Sequence, residues 1–255
     1  MFSDAEIEAI RATTPGCSGD RIHLNHAGSS LPDQRVLEAQ VGHLRREAEI
    51  GGYEAAAEAA DADARVYESL AGMIGGRPDE IARAEHATAA WNAAFWSLPM
   101  AAGQRIVTHE QDYGANFVAF HRARDLRGVE IEVVPSGRFG QIDLEALGRS
   151  LDDASSVALV SLCWIPTSGG LVNPAGAVGA MTQQAGVPLL LDACQAVGQL
   201  SIDVEAIGCD LLTATGRKFV RGPRGTGFLW VREAMLDRVE VSQPDHHGFD
   251  WTLEG

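Results

Sequence analysis

Val187-Pro188-Leu189-Leu190-Leu191-Asp192-Ala193-Cys194-Gln195, followed further along by Thr215-Gly216-Arg217-Lys218 and Gly222-Pro223-Arg224-Gly225-Thr226-Gly227, decide how this chain is read. The first stretch is a short apolar run that ends on a carboxylate. Such a run, bounded by turn signals, is the mark of a strand buried on both faces. The second is a lysine held between a short polar run and a glycine-rich turn. That turn is no dinucleotide fingerprint, because it precedes a strand and not a helix. Its job is to turn the chain sharply after the lysine.

Outward from these stretches the same alternation repeats. Strands are expected at 105–108, 129–134, 156–163, 187–191, 210–214 and 227–231, and helices at 115–127 and 143–149. Asn173-Pro174 opens a further helix through Gln184, with proline in the first turn where its missing N–H does no harm. A helix over Trp91-Asn92-Ala93-Ala94-Phe95-Trp96 follows His86-Ala87-Thr88-Ala89-Ala90. Strand and helix in turn imply an α/β fold, a mostly parallel sheet with helices on both faces. Ligands bind such sheets at the carboxyl ends of the strands. Asp192, Thr167, Thr215 and Lys218 all fall there. The first 75 residues differ: Leu31-Pro32 leads into a helix through Glu49, Gly51-Gly52 breaks it, and an alanine-rich helix over 53–73 stops at Gly75-Gly76-Arg77-Pro78. The expected organisation is an N-terminal helical segment, 1–75, packed on a large domain, 76–255.

Composition narrows the function. A net charge of −15 over 255 residues argues against nucleic acid and anionic membranes, which both need clustered positive charge. No apolar run approaches the ~20 residues that span a bilayer. Asp4, Glu6 and Glu8 stand where a signal peptide would be basic, so a cytoplasmic protein is expected. Cys17, Cys163, Cys194 and Cys209 are widely spaced and read as reduced, buried thiols rather than a zinc site or disulfide frame. The His246-His247 pair reads as a solvated turn, so no metal is expected.

A lysine in such a setting can form a Schiff base with an aldehyde cofactor, and an Asp and a Gln three residues apart can serve its ring. Pyridoxal 5′-phosphate is therefore the expected cofactor. It needs a lysine, a carboxylate at its ring nitrogen, donors for its phosphate at a helix start, and a flat partner for the ring. Lys218 is the candidate amine and Asp192 the carboxylate. Thr88 offers a hydroxyl and Ala89 an N–H at a helix start. Tyr113 is placed to stack. Each has a plainer alternative: a surface lysine for Lys218, a helix or turn cap for Asp192, a cap for Thr88 and a core tyrosine for Tyr113.

Thr215-Gly216-Arg217-Lys218, the Gly-Pro-Arg-Gly-Thr-Gly turn and Asp192-Ala193-Cys194-Gln195 together resemble the class V aminotransferase family, of fold type I among pyridoxal-phosphate enzymes. That family includes cysteine desulfurases, selenocysteine lyase and isopenicillin-N-epimerase-like proteins. The resemblance runs from Ile22-His23-Leu24-Asn25-His26-Ala27-Gly28 to the chain's end. It implies that Lys218 holds the cofactor covalently, Asp192 pairs with the ring nitrogen and Gln195 bonds the ring hydroxyl oxygen. Thr88 and Thr215 would bind phosphate with help from the Ala89 backbone, and Arg217 is also able to bind it. His26 and Ala27 would line the substrate pocket. An amino-acid substrate and a homodimer are implied too. Arg217 replaces the histidine that desulfurases carry before the lysine, Tyr113 their stacking histidine, and Thr167 their asparagine. These departures point away from the desulfurases and toward the lyase, epimerase and aminotransferase branches. Family members also continue into a C-terminal small domain, expected to be absent here because the chain stops at Gly255. The alternatives are a non-catalytic cofactor-binding or assembly protein of the same fold, and, more distantly, a nicotinamide dehydrogenase.

Overall fold

In the computed structural model, residues 2–242 and Pro244 are described; His246-His247 and the end of the expected 76–255 unit lie outside the described residues. One sheet of seven strands is built from β1 (Ile81–Ala84), β2 (Arg105–His109), β3 (Glu130–Val134), β4 (Val157–Cys163), β5 (Leu189–Asp192), β6 (Leu211–Thr215) and β7 (Gly227–Val231). Their order is β1-β7-β6-β5-β4-β2-β3. Every pairing is parallel except those of β7, which runs antiparallel to both β6 and β1.

The expected strands recur within two residues at each end. β1 is an addition: Ile-Ala-Arg-Ala is short and carries no alternation that would announce it. β4 and β5 are buried at every position, as strands covered on both faces must be.

The helices are α1 (Asp4–Ala12), α2 (Gln34–Ile50), α3 (Gly52–Glu58), α4 (Ala60–Ile74), α5 (Ala87–Ser97), α6 (Gly114–Arg127), α7 (Leu144–Leu151), α8 (Ala175–Ala185) and α9 (Val204–Ile207). α5 and α6 cover one face: Trp91, Phe95 and Phe120 pack with Ile106, Leu159 and Leu190. α7, α8 and α9 cover the other, where Leu147, Val178 and Ile207 pack with Val107, Val160, Leu189 and Leu191. Within β5, Leu190 thus joins one core and its two neighbours the other, the period of two that a strand imposes.

The single helix expected over 53–73 is two. Ala59 leaves helical geometry at φ −90° and ψ 1°, ending α3. There the Arg46 guanidinium of α2 grips the Glu58 carboxylate at 2.7 and 2.8 Å. Pro174 also stands one place earlier than expected, as the residue before α8. Gly75, Gly128, Gly186 and Gly208 end α4, α6, α8 and α9 in the left-handed conformation that glycine adopts without strain.

Inside α8, Gly179 lies against the chain that ends α9, and a Cβ there would sit 1.8 Å from the Ile207 carbonyl oxygen. Alanine ordinarily gains about 1 kcal/mol over glycine in a helix. Overpacking against backbone costs about 1–3 kcal/mol. Gly179→Ala is therefore expected to lower the urea midpoint, and an unchanged or raised midpoint would show that α8 shifts freely.

Candidate active site

A cavity of about 300 Å³ opens at the carboxyl ends of β4, β5 and β6. Thr88, Tyr113, Thr167, Asp192, Gln195, Thr215, Arg217 and Lys218 all line it, brought from five separate stretches of chain. His86, Ala87, Cys163, Ile165 and Cys194 complete the wall. Strand order explains the gathering. β5 pairs with β4 and β6, so Asp192 stands opposite Cys163 on one side and Thr213 on the other.

Lys218 follows β6 in the connection to β7, and its exposure is only 8%. That connection is pinned at several points. Gly216 N–H donates to the Thr226 carbonyl at 3.0 Å, Gly222 N–H to the Gly216 carbonyl at 2.8 Å, and Arg221 N–H to the Lys218 carbonyl at 2.9 Å. A side chain at Gly216 would collide with the Thr226 hydroxyl. Arg221 is the non-glycine residue with positive φ among the described residues, at 62°. Its guanidinium holds the Leu31 carbonyl at 3.0 Å and the Thr14 hydroxyl at 2.6 Å. With Ser30 N–H on the Arg217 carbonyl at 2.9 Å, this straps the N-terminal segment onto the lysine loop.

Asp192 is 6% exposed at the end of β5. Its Oδ1 accepts the Cys194 N–H at 3.0 Å and its Oδ2 the Asn116 amide at 3.4 Å. Burial pushes its carboxyl above the usual range, and the nearby Asp112 carboxylate adds to that, while the Cys194 and Asn116 donors oppose it. Gln195 gives its Nε2 hydrogen to the Ala27 carbonyl at 3.0 Å, and its buried Oε1 has no partner among the described residues. Arg217 Nη1 donates to Thr215 Oγ1 at 3.1 Å.

At the start of α5 the arrangement differs from the expected one. Ala89 is not on the cavity wall, and its N–H is taken by His86 Nδ1 at 3.0 Å. Ala87 and Thr88 instead bring the helix start to the cavity. Ala27 touches the site through Gln195, whereas His26 lies beside His23, the ring centroids 4.8 Å apart. Burial lowers the His26 pKa, and positive charge on His23 and Arg221 lowers it further.

The aminotransferase class-V family profile matches residues 22–248. The chain belongs to that family. Among curated relatives, a "Probable cysteine desulfurase" of Synechocystis sp. is 30% identical over 225 residues, covering 86% of this chain and 53% of the relative. A "Probable hercynylcysteine sulfoxide lyase" of Mycobacterium tuberculosis is 28% identical over 242 residues, covering 94% and 58%. The class-V chain thus spans little more than half the length of these relatives. The apo cysteine desulfurase of Thermococcus onnurineus superposes with a TM-score of 0.87 at 21% identity, covering 97% of this chain and 62% of that one. A C-DES variant with glycine covalently linked to its PLP cofactor gives 0.83 at 20% identity, covering 90% and 61%. These likenesses establish fold type I architecture for this class-V chain.

Several site residues were invisible to sequence reasoning. His86 is not a usual cap type, and Asp112 and Asn116 carry meaning only once their neighbours are known. No group of three or more His, Cys, Asp or Glu side chains able to hold a metal occurs among the described residues. The cysteines at the cavity are poor nucleophiles as they stand: burial pushes the Cys163 and Cys194 thiols far up, aided by the Asp192 charge. Burial also takes Cys209 up to about 12. Alkylation of the native protein with iodoacetamide near neutral pH is expected to modify Cys17 and leave the other three intact until denaturant is added. Mass spectrometry showing early modification of Cys194 would contradict this.

Proposed function

We propose that this chain is the cofactor-holding part of a pyridoxal-phosphate-dependent enzyme acting on an amino acid, by aminotransferase or lyase/desulfurase-like chemistry. The observation that carries the reading is the convergence of Lys218, Asp192, Gln195 and Thr215 on one cavity in a class-V family chain. The names of the relatives, cysteine desulfurase and hercynylcysteine sulfoxide lyase, support an amino acid as the substrate class.

The cavity's own chemistry fits the cofactor. Asp192 is a buried carboxylate suited to a protonated ring nitrogen. Gln195 has a buried acceptor without a partner. The start of α5, with the Thr88 and Thr215 hydroxyls and the Arg217 guanidinium, suits a phosphate. When bound, the cofactor supplies an electron sink for charge developing on the substrate. The protein's share is to hold it. Lys218 Nζ provides the amine for covalent attachment and is the group to carry a proton to and from the substrate carbon. Tyr113 fixes the ring face. Because Gln195 Nε2 is engaged by the Ala27 carbonyl, Oε1 is the atom that would be offered toward the ring hydroxyl. Thr167 stands at the rim, and the segment bearing His26 and Ala27 faces the substrate side.

The remaining parts of the reading follow family membership. Residues 1–75 act as a helical segment on a cofactor-binding unit formed by 76–255. The assembly is a homodimer, supported by the exposed apolar side chains Leu37, Leu44 and Tyr53 on α2 and α3. The cytoplasm is the proposed compartment. No helix among the described residues is long and apolar enough to cross a membrane.

Incubation with pyridoxal phosphate followed by borohydride should fix one cofactor on Lys218, and Lys218→Ala should abolish the label. Label on another lysine, or none, would refute the assignment. Asp192→Asn should still take up the label. Breaking a buried charge pair costs about 3–5 kcal/mol, and each 1.36 kcal/mol is tenfold in rate, so turnover should fall by about 10²–10⁴. Undiminished turnover would remove Asp192 from the ring nitrogen.

A further inference from the structure

Behind the cavity wall lies a second buried carboxylate that the proposed chemistry does not use. Asp112 precedes α6 and is 9% exposed. Its Oδ2 accepts the Thr108 hydroxyl at 2.6 Å and the Ser161 hydroxyl at 3.1 Å. Its Oδ1 accepts the Tyr113 N–H at 2.6 Å and the Asn116 amide at 2.9 Å. Four donors from β2, β4 and α6 occupy it, which leaves no lone pair for a ligand. Asp112 is also not on the cavity wall.

Asn116, 3% exposed, is what connects Asp112 to the site. Its Nδ2 faces both carboxylates, Asp112 at 2.9 Å and Asp192 at 3.4 Å. Both partners are acceptors, so the amide can be placed only one way round: nitrogen toward the pair. The shorter bond to Asp112 holds the group, and the second hydrogen is thereby aimed at Asp192. The same Asp112 oxygen takes the N–H of Tyr113, the side chain on the cavity wall at the start of α6. One carboxylate thus fixes two cavity residues without touching the cavity.

We propose that Asp112 and Asn116 are positioning residues for the cofactor ring, a carboxylate–amide relay that sets the orientation of Asp192 and the seat of Tyr113. The inference deepens the reading of Asp192 as the ring-nitrogen partner and rests on it. Loss of the relay should weaken whatever depends on an aimed Asp192 more than what depends on phosphate and lysine. Two ligands separate these contributions: pyridoxal phosphate, and its carbocyclic analogue in which C–H replaces the ring nitrogen. The ratio of their dissociation constants reads the Asp192 interaction alone, and a general loosening of the fold changes both constants together.

Measured by equilibrium titration, the unaltered chain should prefer the pyridine ligand. Asn116→Ala and Asp112→Ala should each narrow that preference at least tenfold. Asp112→Asn should keep most of it, since a carboxamide oxygen still accepts from Tyr113 and Asn116 while its NH₂ donates to the two hydroxyls. Should Asp112→Ala fail to fold, Asn116→Ala leaves the Asp112 hydroxyl partners in place and carries the test. Weakening of both ligands by the same factor in Asn116→Ala overturns the inference. So does an Asp112→Asn preference as low as that of Asp112→Ala, because charge and not the aimed amide would then be responsible. A chain without preference before any substitution refutes the ring-nitrogen role of Asp192 instead, a result distinct from both.

Discussion

A carboxylate withdrawn from water at the end of a fully buried strand is the constraint around which this site is organised. β5 reads Leu-Leu-Leu-Asp with every residue buried. Moving an unpaired carboxylate into such surroundings is costly, and the protein answers with hydrogen-bond donors instead of a cation: the Cys194 N–H and the Asn116 amide. The Cys194 N–H comes from the chain just past β5, and the Asn116 amide is itself held by Asp112. β4, the neighbour of β5, brings Ser161 to Asp112, and β2, on the far side of β4, delivers Thr108 and then Asp112. The carboxylate that ends β5 is thus served through the two strands beyond it, by way of Asp112 and Asn116.

The other half of the cavity is set by how closely backbone approaches backbone. β7 begins at Gly227, where a Cβ would stand 2.6 Å from the His86 carbonyl carbon and 2.8 Å from the Ala87 nitrogen. Glycine there lets the first turn of α5 sit directly against the end of the lysine connection. Gly198, at φ 89°, plays a comparable part on the other side, where a Cβ would meet Phe219 and Val220 backbone at 2.6–2.8 Å. Lys218 is therefore bracketed by contacts that tolerate no side chain. The Arg221 fork adds a polar clamp to these steric ones.

Much of this was legible in the chain. The parallel strands announced themselves as short apolar runs between glycines and prolines, and Asp192, Thr215 and Lys218 sat at strand ends where a site belongs. Helix α1 went unread, although Ser3 and Glu6 form a reciprocal capping box at its start. What stayed hidden was set by partners distant in sequence. Ile-Ala-Arg-Ala becomes β1 only because β7 lies beside it, and the reversed direction of β7 leaves no trace in its composition. The break at Ala59, beside which Arg46 of α2 holds Glu58, has no glycine or proline to announce it. Asp112 and Asn116 look like an ordinary helix entry until Asp192 is seen 76 positions away, on the same amide. His86 was missed because histidine rarely caps helices, and that cap diverts the Ala89 N–H assigned to phosphate.

The pairing of β1 with β7 sets the order in which the protein can be made. Ile81 lies opposite Trp230 in that ladder, and the Trp230 indole donates to the Glu80 carboxylate at 2.9 Å. Those partners sit some 150 residues apart, so nearly the whole domain must leave the ribosome before β1 finds its neighbour. Contacts of such long range slow folding, because loop entropy is lost before the pairing repays it. The Ser30 and Arg221 straps join sequence ends just as remote, 187 residues for Ser30 to Arg217 and 190 for Leu31 to Arg221. During synthesis β1 is therefore an exposed strand edge until β7, the last of the described strands, is made.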